Sequence, residues 1–437
     1  MYVPPSLEFV PFVYPPLYYV VSAAVAKVIG IGFTPLRLVS VVAMLANLGW
    51  VYAFVVREGK EKWAGLAAAG FFAGTYPLSG FWFDIGRVDS LFVCLVLAAA
   101  YVLRFGTRWN ALLGGAVLVT LAFFTKQAAL VMAVPFAIYL FRTDWRRGLT
   151  FSASTGALVL GFSVLIDSLH HGWFGYYTHR VVGGHPLAWD GWSQFIRGEV
   201  LQPCGLALAV SLFFWLFGLP EAKARARLYY ALLLAGMLSM AFMGRIHTGG
   251  WINVLMPAHA GIAIVFGLGL RTCRPVGEGR LAARVALLGP ILAALQLASL
   301  SFDPRPSIPT AADRAAGVAL VERIRAIPGP VWTTHRGYLS TLAGKRSGAH
   351  MMAMLDVMRS SADFAGAKGR LEAEIRGALA SRHFDLVLMD NHDFWFLPAL
   401  ERDYRRDGHL WFADPNVFWP RAGAHVRPEV GYVPRVP

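Results

Sequence analysis

Residues 109–141 read WNALLGGAVLVTLAFFTKQAALVMAVPFAIYLF, an apolar run interrupted only by Lys126 and Gln127. Whether this is one long span or a hairpin of two decides the topology of everything that follows. Similar apolar blocks occur at 38–56, 64–83, 90–103, 149–167, 201–218, 228–244, 253–270 and 281–300, each suited in composition to crossing a bilayer. Splitting 109–141 at Lys126 gives ten spans. One set of alternate gaps then holds Arg57, Lys60 and Lys62; Arg104 and Arg108; Arg142, Arg146 and Arg147; Lys223, Arg225 and Arg227; and Arg271, Arg274 and Arg280. The other set holds Arg87, Lys126, Arg180, Arg197 and Arg245, although it includes the longest gap, 168–200. The positive-inside rule makes the first set cytoplasmic. Drawing 109–141 as a single span would invert every later gap and destroy this agreement, so the hairpin is preferred.

Composition points the same way. The 437 residues are 56% hydrophobic and 15% charged, and the apolar residues come in blocks instead of at amphipathic spacing. The net charge of +14 is scattered through short gaps and forms no basic stripe, which argues against a nucleic-acid partner. Cys94, Cys204 and Cys273 lie in or beside apolar segments without paired metal-ligand spacing, against a disulfide or zinc framework.

The expected fold is an α-helical polytopic membrane protein of about ten transmembrane helices with a small C-terminal α/β domain. Three regions follow: 1–35, an outer-face loop with an interfacial helix; 36–300, the transmembrane domain; and 301–437, extracytoplasmic by parity. Pro16–Ile29 would make a helix of roughly 21 Å, too short for the hydrocarbon core. With Tyr14, Tyr18 and Tyr19 at one end and Lys27 near the other, it fits a helix lying at the outer interface, an ordinary short span being the alternative. Beyond 301, Ala311–Ala326 and Gly369–Ala380 read as helices, and Pro330–Thr334 and Phe384–Met389 as strands.

Ionisable groups concentrate in the outer gaps. They are Asp84, Arg87 and Asp89; Lys126 with Gln127; Arg245 and His247; and, in the long gap, His170, His171, Tyr176, Tyr177, His179, Arg180 and His185. Charges at the bilayer edge are costly unless paired or functional. Bland readings stand beside the functional one. Arg87 and Asp89 could pair to cap a helix starting at Ser90, Lys126 could snorkel, the histidines could suggest a metal, and Arg245-Ile-His could be a turn. Together, cations beside carboxylates under an apolar roof suit a phosphate-bearing lipid: Arg and Lys hold the phosphate, and a carboxylate activates an acceptor hydroxyl.

The run Phe12-Val-Tyr-Pro-Pro-Leu-Tyr-Tyr19, the Arg87-Val-Asp-Ser-Leu91 helix start, the short hairpin at Lys126 and the C-terminal outer domain resemble the GT-C class of membrane glycosyltransferases. Within it they look most like the protein O-mannosyltransferases and lipid A aminoarabinose transferases. The resemblance covers most of residues 10–300. It implies an enzyme of the inner (plasma) membrane that moves a sugar from a polyprenyl-phosphate donor to a glycan, lipid or protein acceptor on the extracytoplasmic face. No cofactor is implied, and a divalent metal is left open. It implies that Asp89 is a carboxylate at the reacting centre, with Asp84 and Glu8 as further catalytic candidates. Arg87, Lys126, Gln127, Arg245, His247, Arg180 and Tyr14 would bind substrate. The family's first helix and the acidic part of its first outer loop have no counterpart here, and Glu8 is the one carboxylate in residues 1–35. The expectation is a chain lacking the first transmembrane helix, keeping the fold of 36–300 and weak or inactive as written. The rival readings are a transporter or flippase of lipid-linked sugars, which calls for broken helices and related halves, and a non-catalytic scaffold presenting the α/β domain.

Overall fold

A computed structural model of the chain describes residues 1–217, 223–272, 280–390, 394–408 and 411–435. Cys273, Arg274 and the helix-loop residues beside them lie outside these. The chain falls into two compact units: residues 14–164 with 187–303, and residues 1–13 with 165–186 and 304–437.

The larger unit is a helical bundle. Its elements are α1 (Leu17–Ile29), α2 (Phe33–Gly59), α3 (Lys62–Gly74), α4 (Asp89–Phe105), α5 (Trp109–Thr125), α6 (Ala129–Thr143) and α7 (Trp145–Leu169), whose last turn passes to the other unit. After α8, a single turn at Trp173–Gly175, come α9 (Gln202–Phe217), α10 (Lys223–Ile246), α11 (Met256–Thr272) and α12 (Arg280–Ser299). Each apolar block of the sequence contains a helix, and the run 109–141 does break at Lys126–Ala128. Among the described residues, Phe33–Gly59, Trp145–Leu169, Trp189–Leu216, Ala224–Ile246 and Ile252–Thr272 are long and apolar enough to cross a membrane, while α1, α5, α6 and Leu287–Ser299 are shorter apolar helices.

Two expectations need correction. The span placed at 64–83 ends at Gly74: the Thr75 hydroxyl donates to the Phe72 carbonyl at 2.7 Å, Pro77 has no N–H to continue the ladder, and Gly80 turns the chain at φ 67°. The gap at 168–200, read as a loop, is largely helical, with π-helical turns at Tyr176–Val181 and Gln194–Leu201. Its aromatic residues explain the order, since Trp173, Phe174, Tyr176 and Tyr177 are buried against one another.

Helix α11 is the axle of the bundle, buried from Met256 to Leu270. Small residues permit this closeness. A Cβ on Gly269 would stand 2.3 Å from the Val210 carbonyl oxygen of α9, and one on Gly267 would stand 2.7 Å from Val55 of α2. The cation-rich gaps gather at one end of the bundle. Arg104 forms a bidentate pair with Glu58 at 2.8 and 3.0 Å, Tyr230 donates to the same carboxylate, Arg147 donates to the carbonyls of Gly106 and Thr107, and Gly59 packs on Arg271.

The smaller unit is the α/β domain. It comprises α13 (Ala311–Ala326), β1 (Val331–Thr333), α14 (Gly337–Leu342), α15 (Met351–Arg359), α16 (Ala367–Ala380), β2 (Leu386–Met389), α17 (Leu397–Asp403), β3 (Tyr404–Arg406) and β4 (Val430–Pro434). The sheet order is β1-β2-β4-β3, with β1 parallel to β2 (Trp332 opposite Val387) and the other two pairs antiparallel. All residues of β1 and β2 are buried, the continuous apolar pattern of strands covered on both faces. The N-terminal residues join this unit. The Leu7 carbonyl accepts from Ala349 N–H at 2.7 Å, and Tyr2 is buried between His170 and Phe174.

Just past β1 and β2, Arg336 Nε donates to Asp390 Oδ2 at 2.8 Å. Burial raises the Asp390 carboxyl from 3.8 to about 6 despite the attraction of Arg336, and burial with His350 and Arg336 nearby lowers His335 to about 3. A raised carboxyl contributes stability present below its unfolded value and lost as pH rises through the folded one; a depressed histidine contributes stability lost as pH falls below its unfolded value. Between pH 4 and 7, Asp390→Asn should therefore gain about 2 kcal/mol on the wild-type domain as pH rises. His335→Phe should gain as pH falls. Hydrogen exchange of the β2 amides in the full chain reads both, and parallel pH profiles in all three proteins would contradict these assignments.

Candidate functional site

The site is built where α4 begins. The chain between Gly80 and Arg87 is irregular, and Gly86 lies so close to α2 that a Cβ would stand 2.9 Å from that of Leu36. Polar side chains inside apolar helices tie this segment down. Ser40 Oγ donates to the Arg87 carbonyl at 3.2 Å, Asn47 Nδ2 to the Ser90 carbonyl at 3.0 Å, and Ser90 Oγ to the Phe83 carbonyl at 2.6 Å. The result is a first helical turn held rigidly with Asp89 inside it, 2% exposed.

Lys126, at the turn between α5 and α6, donates to Asp89 Oδ1 at 2.7 Å, and Arg87 Nε lies 3.9 Å from Asp89 Oδ2. Arg87 is itself fixed by Tyr14, whose hydroxyl accepts from it at 2.9 Å, and by the Trp82 ring 4.8 Å from its guanidinium carbon. Asn253, on the turn ahead of α11, also bonds the Asp89 side chain. Beside this cluster is a small cavity of about 20 Å³, lined by Asp89, Lys126 and Asn253 and by apolar residues including Phe92, Met240 and Pro257. Two cations against one buried carboxylate leave an excess of one positive charge at its wall.

Asp89 is the acidic residue in the first turn of α4 and pairs there with Arg87 and, more closely, with Lys126. Lys126 does not snorkel to water: its side chain is 13% exposed and its ammonium donates to Asp89. Asp84 is engaged elsewhere, accepting from Tyr76 at 2.6 Å and paired with Arg37. Arg245 Nε donates to both oxygens of Glu199 at 2.8 and 3.0 Å, and His247 pairs with Leu187 in an isolated bridge. Gln127 is half-buried on the α5–α6 turn. Glu8 and Arg180 belong to the smaller unit. Glu8 is 78% exposed and 3.7 Å from Arg346, and Arg180 lies over the Phe364 ring. The cluster therefore unites Asp89, Arg87, Lys126 and Tyr14, and the contacts described for Arg245, Asp84 and Glu8 are to other partners. The histidines of 170–185 serve as packing and hydrogen-bonding groups: His170 Nδ1 meets the Tyr2 carbonyl at 3.0 Å and His185 Nε2 the Asp356 carbonyl at 2.7 Å. Among the described residues no three His, Cys, Asp or Glu side chains are grouped to hold a metal.

Sequence reading missed Asn253, Trp82, Ser40, Asn47 and Glu199. The amides carried a signal, each being a polar residue inside or at the mouth of an apolar block. Removing one partner of a buried pair strands a charge, which costs about 3–5 kcal/mol, whereas replacing both with apolar groups is often tolerated. Lys126→Met should thus lower the melting temperature of the detergent-purified chain sharply, and Asp89→Leu added to it should recover most of the loss. A single Lys126→Met variant as stable as wild type would show that the pair holds nothing.

Residues 13–173 match the model of a family described as dolichyl-phosphate-mannose-protein mannosyltransferase. No curated protein matches the chain in sequence. Among solved structures, the chain is similar to ArnT from Cupriavidus metallidurans bound to undecaprenyl phosphate, with a TM-score of 0.57, 11% identity, and 97% of this chain and 88% of that one covered. The apo state of the same protein aligns at a TM-score of 0.57 and 10% identity, over 99% and 89%. The chain therefore carries the fold of that protein, a polytopic helical bundle with a small α/β unit at its C-terminal end.

Proposed function

We propose that this chain is a membrane glycosyltransferase that moves a sugar from a polyprenyl-phosphate donor to an acceptor hydroxyl at the extracytoplasmic face. The observation that carries the reading is the Arg87–Asp89–Lys126 cluster, buried at a small cavity within a bundle whose fold is that of a protein crystallised with undecaprenyl phosphate. Arg87 and Lys126 hold the donor phosphate by charge-assisted hydrogen bonds. The acceptor oxygen attacks the anomeric carbon, the bond from that carbon to the phosphate oxygen breaks with its electron pair staying on the phosphate, and the hydroxyl proton passes to a carboxylate. Asp89 Oδ2 makes no hydrogen bond among the described residues, which suits that proton. Phe92, Met240 and Pro257 line the cavity with apolar surface, which lowers the local dielectric and strengthens each ionic contact.

Arg87 is one-third exposed and its loss leaves the Asp89–Lys126 pair in place, so Arg87→Ala tests binding without dismantling the site. Losing a charge-assisted bond of about 1.5–3 kcal/mol should weaken undecaprenyl phosphate at least about tenfold. Asp89→Asn should retain that lipid and lower sugar transfer by about 10²–10⁴. Lipid co-purifying with the chain, measured by mass spectrometry, reads the first effect, and sugar release from a polyprenyl-phosphate hexose reads the second. Unchanged lipid affinity in Arg87→Ala would remove the site; translocation of intact lipid-linked sugar without transfer would make the protein a flippase.

The charge distribution supports an orientation in which 57–62, 104–108 and 142–147 face the cytoplasm and 301–437 the opposite side. Cysteines at two exposed positions, Thr107→Cys and Gly369→Cys, separate the alternatives in intact cells. An impermeant thiol reagent should label the second and spare the first; the reverse pattern would invert the topology and with it the proposed face of reaction.

A further inference from the structure

The proposed transfer leaves a second concave region unused, in the α/β unit. A groove of about 620 Å³, open to solvent, is lined by Thr310, Arg314, Arg336, Phe418, Trp419 and Arg421 among others. Its position follows the topology: Arg336 stands directly beyond the carboxyl end of β1 and touches Asp390 beyond the carboxyl end of the parallel neighbour β2. The crevice outside the carboxyl ends of parallel strands is where α/β sheets take ligands.

One carboxylate fixes the groove's shape. Asp313 accepts from the Thr310 N–H at 2.8 Å, the Thr310 hydroxyl at 2.9 Å, the Phe418 N–H at 2.7 Å and Arg421 at 2.7 Å. These donors, the Thr310 backbone foremost, hold its carboxyl well below the usual range, so it stays ionised. The contact holds Phe418 at φ 63°, a left-handed conformation that is strained for a bulky residue and persists only where the surroundings enforce it. Enforcement also comes from Phe412, stacked on Phe418 at 5.3 Å, and from Gly317, where a Cβ would stand 2.7 Å from the Phe418 ring.

Charge remains after these pairings. Asp313 balances Arg421 and Asp390 balances Arg336, but Arg314 has no ion-pair partner among the described residues and is exposed beside the first turn of α13. The positive end of that helix faces the same space. Guanidinium forks suit phosphate or carboxylate oxygens, while Phe418 and Trp419 offer apolar surface beside them.

We propose that this groove is a binding site for an anionic saccharide, a sugar ring bearing phosphate or carboxylate, separate from the Asp89 cluster. The full chain in lipid nanodiscs, titrated with glucose 1-phosphate, glucuronate, inorganic phosphate and glucose, tests it by calorimetry. At least one of the two anionic sugars should bind tenfold or more tightly than both inorganic phosphate and glucose, and which one does so identifies the charged group. Arg314→Glu, at an exposed position that leaves the fold intact, should abolish that binding. Arg376→Glu, on the exposed face of α16, should not. No binding by either anionic sugar, phosphate binding as tightly as the sugars, or equal losses in the two variants would each overturn the proposal.

Discussion

The arrangement of the bundle around the head of α4 depends on a buried carboxylate that needs a cation. Asp89 enters the first turn of α4 at 2% exposure, where its ionised form is tolerable only with compensation from nearby charges and donors. Lys126 supplies the nearest of these at 2.7 Å, which requires the α5–α6 turn to lie beside the head of α4. Asn253 adds a bond from the turn that starts α11. Three connections distant in sequence are thereby drawn to one point, and the cavity between them inherits a charged wall in an apolar surround. An ion cluster of this kind is weak evidence for stability and better evidence for a task, because an apolar replacement would hold the helices together at least as well.

Sequence periodicity shows where a helix is, and charge shows which end is which, so the bundle was largely legible. Lys126 in the middle of an apolar run separated α5 from α6, and the basic gaps identified Arg57, Arg104 and Arg147 as sharing an end, as the contacts of Glu58 and of Gly106 with their arginines bear out. The length of α3 was not legible, because apolar residues continue to Phe83 and only the local hydrogen bond of Thr75, the missing donor of Pro77 and the turn at Gly80 stop the helix. Nor was the order of 170–201, where histidines and tyrosines suggested a polar loop. Their rings are instead used as packing volume, as buried Tyr176 and Tyr177 show.

The candidate site was legible in its charges and obscure in its pairings. Asp89, Arg87, Lys126 and Tyr14 stand in the sequence as polar interruptions and meet in space. Arg245 looked equivalent to Lys126, being an isolated cation at the end of an apolar block, yet it pairs with Glu199. The two cannot be told apart by pattern, since what distinguishes them is which carboxylate the fold brings within 3 Å. Short strands were hidden for a related reason. β3 carries Arg405 and Arg406 and pairs only with β4, so its residues obey the rules of an edge and show no apolar run.

The same physical device recurs in both units with opposite emphasis. In the bundle, Asp89 is outnumbered by cations and lies against a cavity of about 20 Å³ lined largely by apolar side chains, where a low local dielectric strengthens each ionic contact. In the α/β unit, Asp313 gathers backbone and side-chain donors around an open groove, where water screens the field and geometry must supply the selectivity. Around Asp89 the narrow, largely apolar surround makes the ion pairs themselves the dominant interaction. An open groove with several guanidiniums and two aromatic side chains favours a larger, hydrated ligand recognised by shape. The two proposed sites thus differ in volume and in access to water.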